Sequence, residues 1–267
     1  MFLTMLFNKG LGYSAICTAR SALSNIILIP GVTCIGGHPL VKRLIKGVYN
    51  TRPPTPRYDA IWDTSLLMQH LRSLDNSSLT FKGLVQKTVT LLTILSGQRV
   101  STLIFFTKSL LHLTEDMAIF NIHGLLKHSR PGKSQNSIVF HAYPSDTGLC
   151  PVTLIKFYIL ARNKLVPPEC DHFIVTHRKP HHGASVDTMA RWVKQVLHDC
   201  GVDTSVFKAH SCRSASTSKA GSLGVSLEHI LKAGQWSNAG TFYKFYNKDI
   251  VCNYRENVFS LSISDNL

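Results

Sequence analysis

The fold is decided by three short stretches: Gly97-Gln98-Arg99, His210-Ser-Cys-Arg213, and Gln235-Trp236 followed by Tyr243 and Tyr246. Each member alone is uninformative, because an arginine after a glycine often satisfies carbonyls at a helix end. Aromatic residues at the density seen around Tyr246 usually pack in a core. Their fixed order, with two arginines, a histidine, a tryptophan and a tyrosine, predicts one shared site.

The composition favours a nucleic-acid partner. The chain has 267 residues, 44% of them hydrophobic, which is enough for one large domain or two modest ones with a real core. Lys plus Arg number 29 against 15 Asp plus Glu, a net charge of +14. Such an excess attracts polyanions, although a solvated basic surface would give the same count.

The cysteines and the apolar runs bear on the compartment. The seven cysteines include no Cys-x-x-Cys pair, so reduced thiols inside a cell are expected rather than disulfides or a zinc ribbon. No apolar run approaches the roughly 20 residues of a membrane span. We therefore expect a soluble intracellular protein with no membrane partner, which in a eukaryote would work in the nucleus.

A proline-rich linker divides the chain. The stretch 51–57 holds three prolines in seven residues, which disfavours helix. Residues 1–50 are predicted to form a small helical domain, short by at least one helix as in a truncated copy, and 58–267 the second domain. Hydrophobic periodicity and turn residues predict a mainly α fold with one small antiparallel β-sheet. The predicted helices are about 14–25, 39–49, 60–74, 80–97, from 151, 185–200, 209–220, 227–233 and 239–248, and the predicted strands are 117–123 and 137–141.

The three stretches carry residue types suited to phosphoryl transfer. Arginine forks bind non-bridging phosphate oxygens, so Arg99 and Arg213 are candidates for a clamp. His210 and Arg213, at i and i+3, would share a helix face and touch one phosphate. Tyr246 could act as nucleophile, with nearby cations favouring its phenolate. Trp236 offers one indole N–H.

Three further features leave alternatives open. Lys127 or Lys133, on the turn between the predicted strands, could protonate a leaving oxygen or simply be solvated. The serines around Arg213 suggest close approach to a phosphate backbone. His172, His177, His181 and His182 invite a metal interpretation, but their spacing matches no known ligand set, so a polar loop is the better account and no metal is expected.

Together these residues resemble the tyrosine recombinases, or phage integrase family, and more closely the recombinases of DIRS-type eukaryotic retroelements. The Gly97-Gln98-Arg99 run is similar to that family's first arginine motif, and His210-x-x-Arg213 to its second. Trp236 falls where the family has histidine or tryptophan, and Tyr246 where it has the nucleophile. The proline-rich linker followed by Trp62-Asp63, and Leu149-Cys-Pro-Val152, are similar to the retroelement group specifically.

The resemblance implies a fold, a reaction and partners. It implies a tyrosine-recombinase catalytic domain and a DNA-clamping core-binding domain at 1–50. The chain would cut and rejoin double-stranded DNA through a 3′-phosphotyrosine, as a tetramer on paired sites, without metal, ATP or other cofactor. The implied catalytic residues are Arg99, Lys127, His210, Arg213, Trp236 and Tyr246.

Departures from the pattern leave other interpretations open. Thr102 stands where the family often has an acid, and Trp236 to Tyr246 is one residue longer than the commonest spacing. Tyr243, three residues before Tyr246 on the same predicted helix, is the second candidate nucleophile. The alternatives are a catalytically dead or repurposed DNA-binding protein derived from a retroelement integrase, and an enzyme similar to type IB topoisomerases.

Overall fold

The computed structural model describes residues 1–27, 34–55, 57–126, 129, 132 and 137–251. The chain divides into two compact units, residues 1–58 and 59–267. None of the described helices is both long and apolar enough to cross a membrane.

The first unit is a small helical cluster. Its helices are α1 (Phe2–Asn8), α2 (Tyr13–Ile26) and α3 (Pro39–Thr51). The predictions of α2 and α3 are confirmed, whereas α1 was missed because seven residues are too few for a clear period. The buried core consists of Leu3, Ile16, Ile45 and Val48.

The second unit is mainly helical. Its helices are α4 (Thr64–Ser73), α5 (Phe81–Ser96), α6 (Pro151–Leu165), α7 (Val186–Asp199), α8 (Ser211–Ser222), α9 (Leu227–Gly234) and α10 (Ala239–Phe245). Helix α5 is central and packs against α6, α7 and α8. The Thr80 side chain accepts the Gly83 N–H at its start, and Gly97 ends it at a φ of +58°. A left-handed residue there favours glycine and turns the chain out of the helix.

Two small sheets complete the second unit. Strands β2 (Leu111–Leu113), β3 (Met117–Phe120) and β4 (Ile138–His141) form an antiparallel sheet in the order β2-β3-β4. The predicted hairpin of β3 and β4 is confirmed, with Met117 opposite His141. A second sheet was not predicted: β1 (Ala60–Trp62) pairs in parallel with β5 (Asp249–Val251).

The second sheet corrects one predicted helix. Residues 60–74 were expected to be helical throughout, but 60–62 form β1 and the Asp63 carboxylate caps α4 by accepting the Ser65 N–H. The apolar pair Ile61-Trp62 fits either structure locally, and its pairing with a distant strand decides for the strand. Helix α10 also ends earlier than predicted, at Phe245 instead of 248.

Lys87 on α5 gives a test of this core. Its side chain is fully buried, with Nζ donating to the Leu74 carbonyl at 2.6 Å, and burial lowers its pKa to about 8. Unfolded lysine titrates near pH ~10.4, so between about pH 8 and pH 10 the unfolded state binds more protons than the folded state. We expect the free energy of unfolding to rise with pH across that window.

The control is Lys87→Met, which removes this titration while keeping a long apolar side chain. Urea denaturation of both proteins at several pH values isolates the contribution of Lys87 from that of other titrating groups. Identical pH slopes for the two proteins would contradict a buried lysine with a lowered pKa.

Candidate active site

Arg213, on the first turn of α8, is the centre of the candidate site. Its side chain is only 3% exposed, and Nη2 donates to the Gly234 carbonyl at 2.6 Å. Nε and Nη1 are buried and make no hydrogen bond of good geometry within the described part of the chain. Burial is the main cause that lowers the pKa of Arg213 to about 10, and the positive charge of Arg99 is the second. The nearby Tyr246 side chain raises this pKa and so offsets part of the decrease. The guanidinium is therefore charged at neutral pH, and a hydrogen-bonding interaction with the Tyr246 side chain helps to keep its pKa from falling further.

Two aromatic rings enclose this guanidinium. Its Cζ lies 3.9 Å from the centroid of a Trp236 ring and 5.1 Å from that of Tyr246. The Trp236 and Tyr246 ring centroids are 4.7 Å apart at an interplanar angle of 54°. The Trp236 Nε1 is also buried without a partner among the described residues. Cation-π contacts thus compensate part of the cost of burying the charge.

The end of α9 places Trp236 in this stack. Gln235 adopts a left-handed conformation (φ 56°, ψ 41°), and the Trp236 N–H donates back to the Leu231 carbonyl at 2.9 Å. A Cβ on Gly234 would lie 1.9 Å from the Trp236 ring, so only glycine fits. Sequence reasoning missed Gly234, and it quoted Gln235 without assigning it a role. The glycine immediately before Gln235-Trp236 was the available signal, since glycines often mark close packing at helix ends.

Arg99 reaches the same neighbourhood from the end of α5. Gly97 turns the chain, and Arg99 directly precedes a short 3-10 helix, Val100–Phe105. The preceding residue, Gln98, donates from Nε2 to the Ala233 carbonyl at 2.7 Å, which joins this segment to α9. Arg99 is half-buried and close enough to Arg213 to lower that residue's pKa. The two arginines that the sequence analysis identified, Arg99 and Arg213, therefore interact electrostatically.

Tyr246 is held in place by hydrogen bonds to its backbone carbonyl. It ends α10, and its carbonyl accepts hydrogen bonds from Ser218 Oγ at 2.7 Å and Ser214 Oγ at 3.1 Å. Tyr246 does not share a continuous helix with Tyr243 as expected, because the helix stops between them and Tyr243 is 54% exposed. Tyr246, and not Tyr243, contacts the Arg213 stack.

His210 lies immediately before α8 and is exposed, with backbone angles close to helical (φ −70°, ψ −14°). It therefore precedes the helix that was expected to include it. Lys127 and Lys133 lie outside the described residues.

The serines of α8 do not face outward as the sequence suggested. Ser211, Ser214 and Ser218 are at most 5% exposed, and each bonds inside the protein. Ser211 Oγ accepts the Trp62 indole N–H at 2.8 Å, while the other two bind Tyr246. Spaced at i, i+3 and i+7, they form one buried polar face. A phosphate backbone therefore cannot contact these hydroxyls in this conformation.

The histidine-rich segment forms a polar loop. His181 Nδ1 lies 2.8 Å from the Thr176 carbonyl oxygen, and His182 Nδ1 lies 2.9 Å from that of Gly183. The His177 ring packs against Trp192 with centroids 5.5 Å apart. Across the described ranges, no three His, Cys, Asp or Glu side chains group as metal ligands.

Comparisons with known proteins identify the fold. No sequence model of a protein family matches the chain, and no curated protein is significantly similar to it. Solved structures do match. The Tn1549 transposon integrase in complex with transposon right end DNA has a TM-score of 0.62 at 13% identity, covering 98% of this chain and 81% of that one. The XerH site-specific recombinase in its pre-cleavage complex has a TM-score of 0.54 at 11% identity, covering 97% and 71%.

The fold is that of the tyrosine recombinases. The mainly helical architecture and small antiparallel sheet predicted from the sequence are those of its catalytic domains. In the post-cleavage complex of XerH the TM-score is 0.52 at 14% identity, and the match covers 68% of this chain and 48% of XerH. The chain thus spans about half of that structure's length.

A substitution at Gly234 tests the close packing between this residue and the Trp236 ring. We expect Gly234→Ala to lower the free energy of unfolding by roughly 1–3 kcal/mol, the usual cost of overpacking, because its Cβ would overlap the indole. The matched control is Gly221→Ala in α8, where an added Cβ meets only ordinary contacts at 3.9 Å. That control should be neutral or slightly stabilising, since alanine favours helix. Equal unfolding midpoints for the two variants in denaturant would contradict the packing described.

Proposed function

We propose that this chain is a site-specific tyrosine recombinase that cuts and rejoins double-stranded DNA through a 3′-phosphotyrosine. The observation that carries the proposal is the Arg213 stack. A buried, charged guanidinium lies beside the tyrosine ring, and among the described residues its Nε and Nη1, like the indole N–H of Trp236, make no well-aligned hydrogen bond. Buried unpaired donors are rare in folded proteins, and an anion is the ligand that would satisfy these.

The proposed chemistry follows from these groups. The Tyr246 oxygen attacks the scissile phosphorus, forming a tyrosine–phosphorus bond while the bond to the 5′ oxygen breaks. Arg213 and Arg99 bind the non-bridging oxygens and stabilise the charge that develops on the phosphorane. His210 takes up the phenol proton, and Lys127 protonates the leaving 5′ oxygen. The reverse steps rejoin the strand, and the phosphotyrosine conserves the energy of the broken bond.

The proposal extends to the DNA partner, the role of residues 1–50, the oligomeric state, the compartment and the origin of the chain. The charge of +14 supports a DNA partner. Residues 1–50 would serve as the core-binding domain, where α3 presents the exposed cations Lys42, Arg43 and Lys46. We propose a tetramer on paired sites and action in the nucleus. The linker motif supports an origin in a DIRS-type retroelement.

Covalent capture on DNA tests the reaction. We expect a protein–DNA adduct on a nicked duplex made from the ends of the source element, without added metal and resolved on a denaturing gel. Tyr246→Phe should abolish the adduct, since it removes the attacking oxygen. The matched control is Tyr243→Phe, three residues earlier and within α10, which should retain the adduct.

The other outcomes separate the alternatives. An adduct that persists in Tyr246→Phe would show that the nucleophile is misassigned. Tight binding without any adduct would favour a dead or repurposed DNA-binding protein. Relaxation of supercoiled DNA without sequence preference would favour a topoisomerase-like enzyme.

The salt dependence of binding tests the electrostatic part. We expect DNA affinity to fall by roughly 10³ between ~50 and ~200 mM salt, because phosphate contacts release counterions. Neutralising Lys42, Arg43 and Lys46 to Gln should reduce the log–log slope by up to about 0.9 per lost contact. Fluorescence anisotropy with a labelled duplex measures both. Affinity that barely changes with salt would exclude a basic DNA clamp, and an unchanged slope in the triple variant would exclude α3 from it.

A further inference from the structure

Two buried serines of α8 hold the backbone of Tyr246. Hydroxyls within helices commonly donate to the carbonyl four residues earlier on the same helix, as Thr217 does to Arg213. Ser214 and Ser218 instead donate across to the Tyr246 carbonyl. Both side chains are at most 5% exposed. This departure from the local pattern directs both hydroxyls to one residue of the candidate site.

Ser218 binds the chain on both sides of Asn247. Its Oγ donates to the Tyr246 carbonyl and accepts the Lys248 N–H at 3.0 Å, which uses both the donor and an acceptor of the hydroxyl. Helix α10 has ended at Phe245, and β5 begins only at Asp249. Between them, the Tyr246 and Asn247 N–H groups both donate to the Phe242 carbonyl, and the serine hydrogen bonds add restraint at the Tyr246 carbonyl and the Lys248 N–H.

The restraint matters because of where these serines lie. Ser214 directly follows Arg213, and Ser218 is one turn further along α8. The Tyr246 carbonyl is therefore tied to the same rigid helix that carries the guanidinium. Orientation of a nucleophile by a rigid element contributes strongly to rate, and small misplacements are costly.

We propose that Ser218, assisted by Ser214, is a positioning residue that holds Tyr246 against Arg213 for attack on the phosphate. This inference rests on the proposed recombinase function. Both hydroxyls are buried and already bonded within the protein, so loss of either should slow cleavage without weakening DNA binding.

The test compares Ser218→Ala with Ser216→Ala. Ser216, on the same helix, donates to the Ile94 carbonyl at 2.6 Å and so loses an equivalent hydrogen bond that does not involve Tyr246. In single-turnover cleavage of the nicked duplex by the full chain, we expect the rate constant to fall about tenfold in Ser218→Ala, the equivalent of one lost hydrogen bond. Ser216→Ala should stay within about twofold of wild type, with the dissociation constant for uncleaved duplex unchanged in both.

A second measurement needs no catalysis. Hydrogen exchange of the Lys248 amide should accelerate about tenfold in Ser218→Ala and not in Ser216→Ala, because only the former loses the acceptor. Ser214→Ala, which keeps that acceptor, should slow cleavage without this acceleration. Ser218→Thr, which restores the hydroxyl, should recover both the slow exchange and part of the rate.

The outcomes separate this proposal from the function on which it rests. If wild type forms no adduct, the proposed function fails, and the exchange result alone decides whether the serines restrain residues 246–248. If wild type cleaves and Ser218→Ala cleaves equally fast, the positioning role is refuted. A rate loss matched in Ser216→Ala would also refute it, since that points to general loss of stability.

Discussion

The buried guanidinium of Arg213 is the constraint on which the site depends. A charge taken out of water is costly unless its surroundings replace the lost solvation. Here the Gly234 carbonyl and the faces of Trp236 and Tyr246 provide part of that replacement. These groups come together because α9 ends at Gly234, which has no Cβ, and is followed by the left-handed residue Gln235, while α10 ends at Phe245, directly before Tyr246. The backbone geometry at the ends of α9 and α10 is thus tied to the burial of the Arg213 charge.

Helix ends are joined in the same way throughout the site. The last carbonyls of a helix lack partners within it, and side chains can satisfy them. Gln98, just beyond the end of α5, donates to the Ala233 carbonyl, and Arg213 donates to the Gly234 carbonyl at the end of α9. The Tyr246 carbonyl, directly after α10, accepts hydrogen bonds from the hydroxyls of Ser214 and Ser218 in the same way. The ends of α9 and α10 are thereby fixed relative to α8, and the segment after α5 is joined to α9, although the candidate catalytic residues lie on separate segments.

The sequence could predict features that depend on neighbouring residues, such as helices and their caps, and features that depend on the order of motifs along the chain. Apolar periodicity gave most helices, and the Thr80 cap and Gly97 marked both ends of α5. The order of Arg99, Arg213, Trp236 and Tyr246 predicted a shared site; in the structure Trp236 and Tyr246 stack on Arg213, and the charge of Arg99 lowers the pKa of Arg213. Strand β1 could not be predicted, since Ile61-Trp62 fits helix or strand and only pairing with β5 decides. The serines of α8 were misread for the same reason, because their partners Trp62 and Tyr246 lie elsewhere in the chain.

Several features that are unfavourable for stability meet at the candidate site, although buried polar atoms without partners also occur elsewhere, for example on Arg162 and His177. Gln235 is the one non-glycine residue with positive φ in the described part of the chain, and unpaired buried donors lie on Arg213 and Trp236 beside it. Strain and unsatisfied groups persist where surrounding structure enforces them, and they cluster at functional sites. Donors held ready in a buried site need no rearrangement when charge develops on a bound phosphate, which is the main source of electrostatic catalysis.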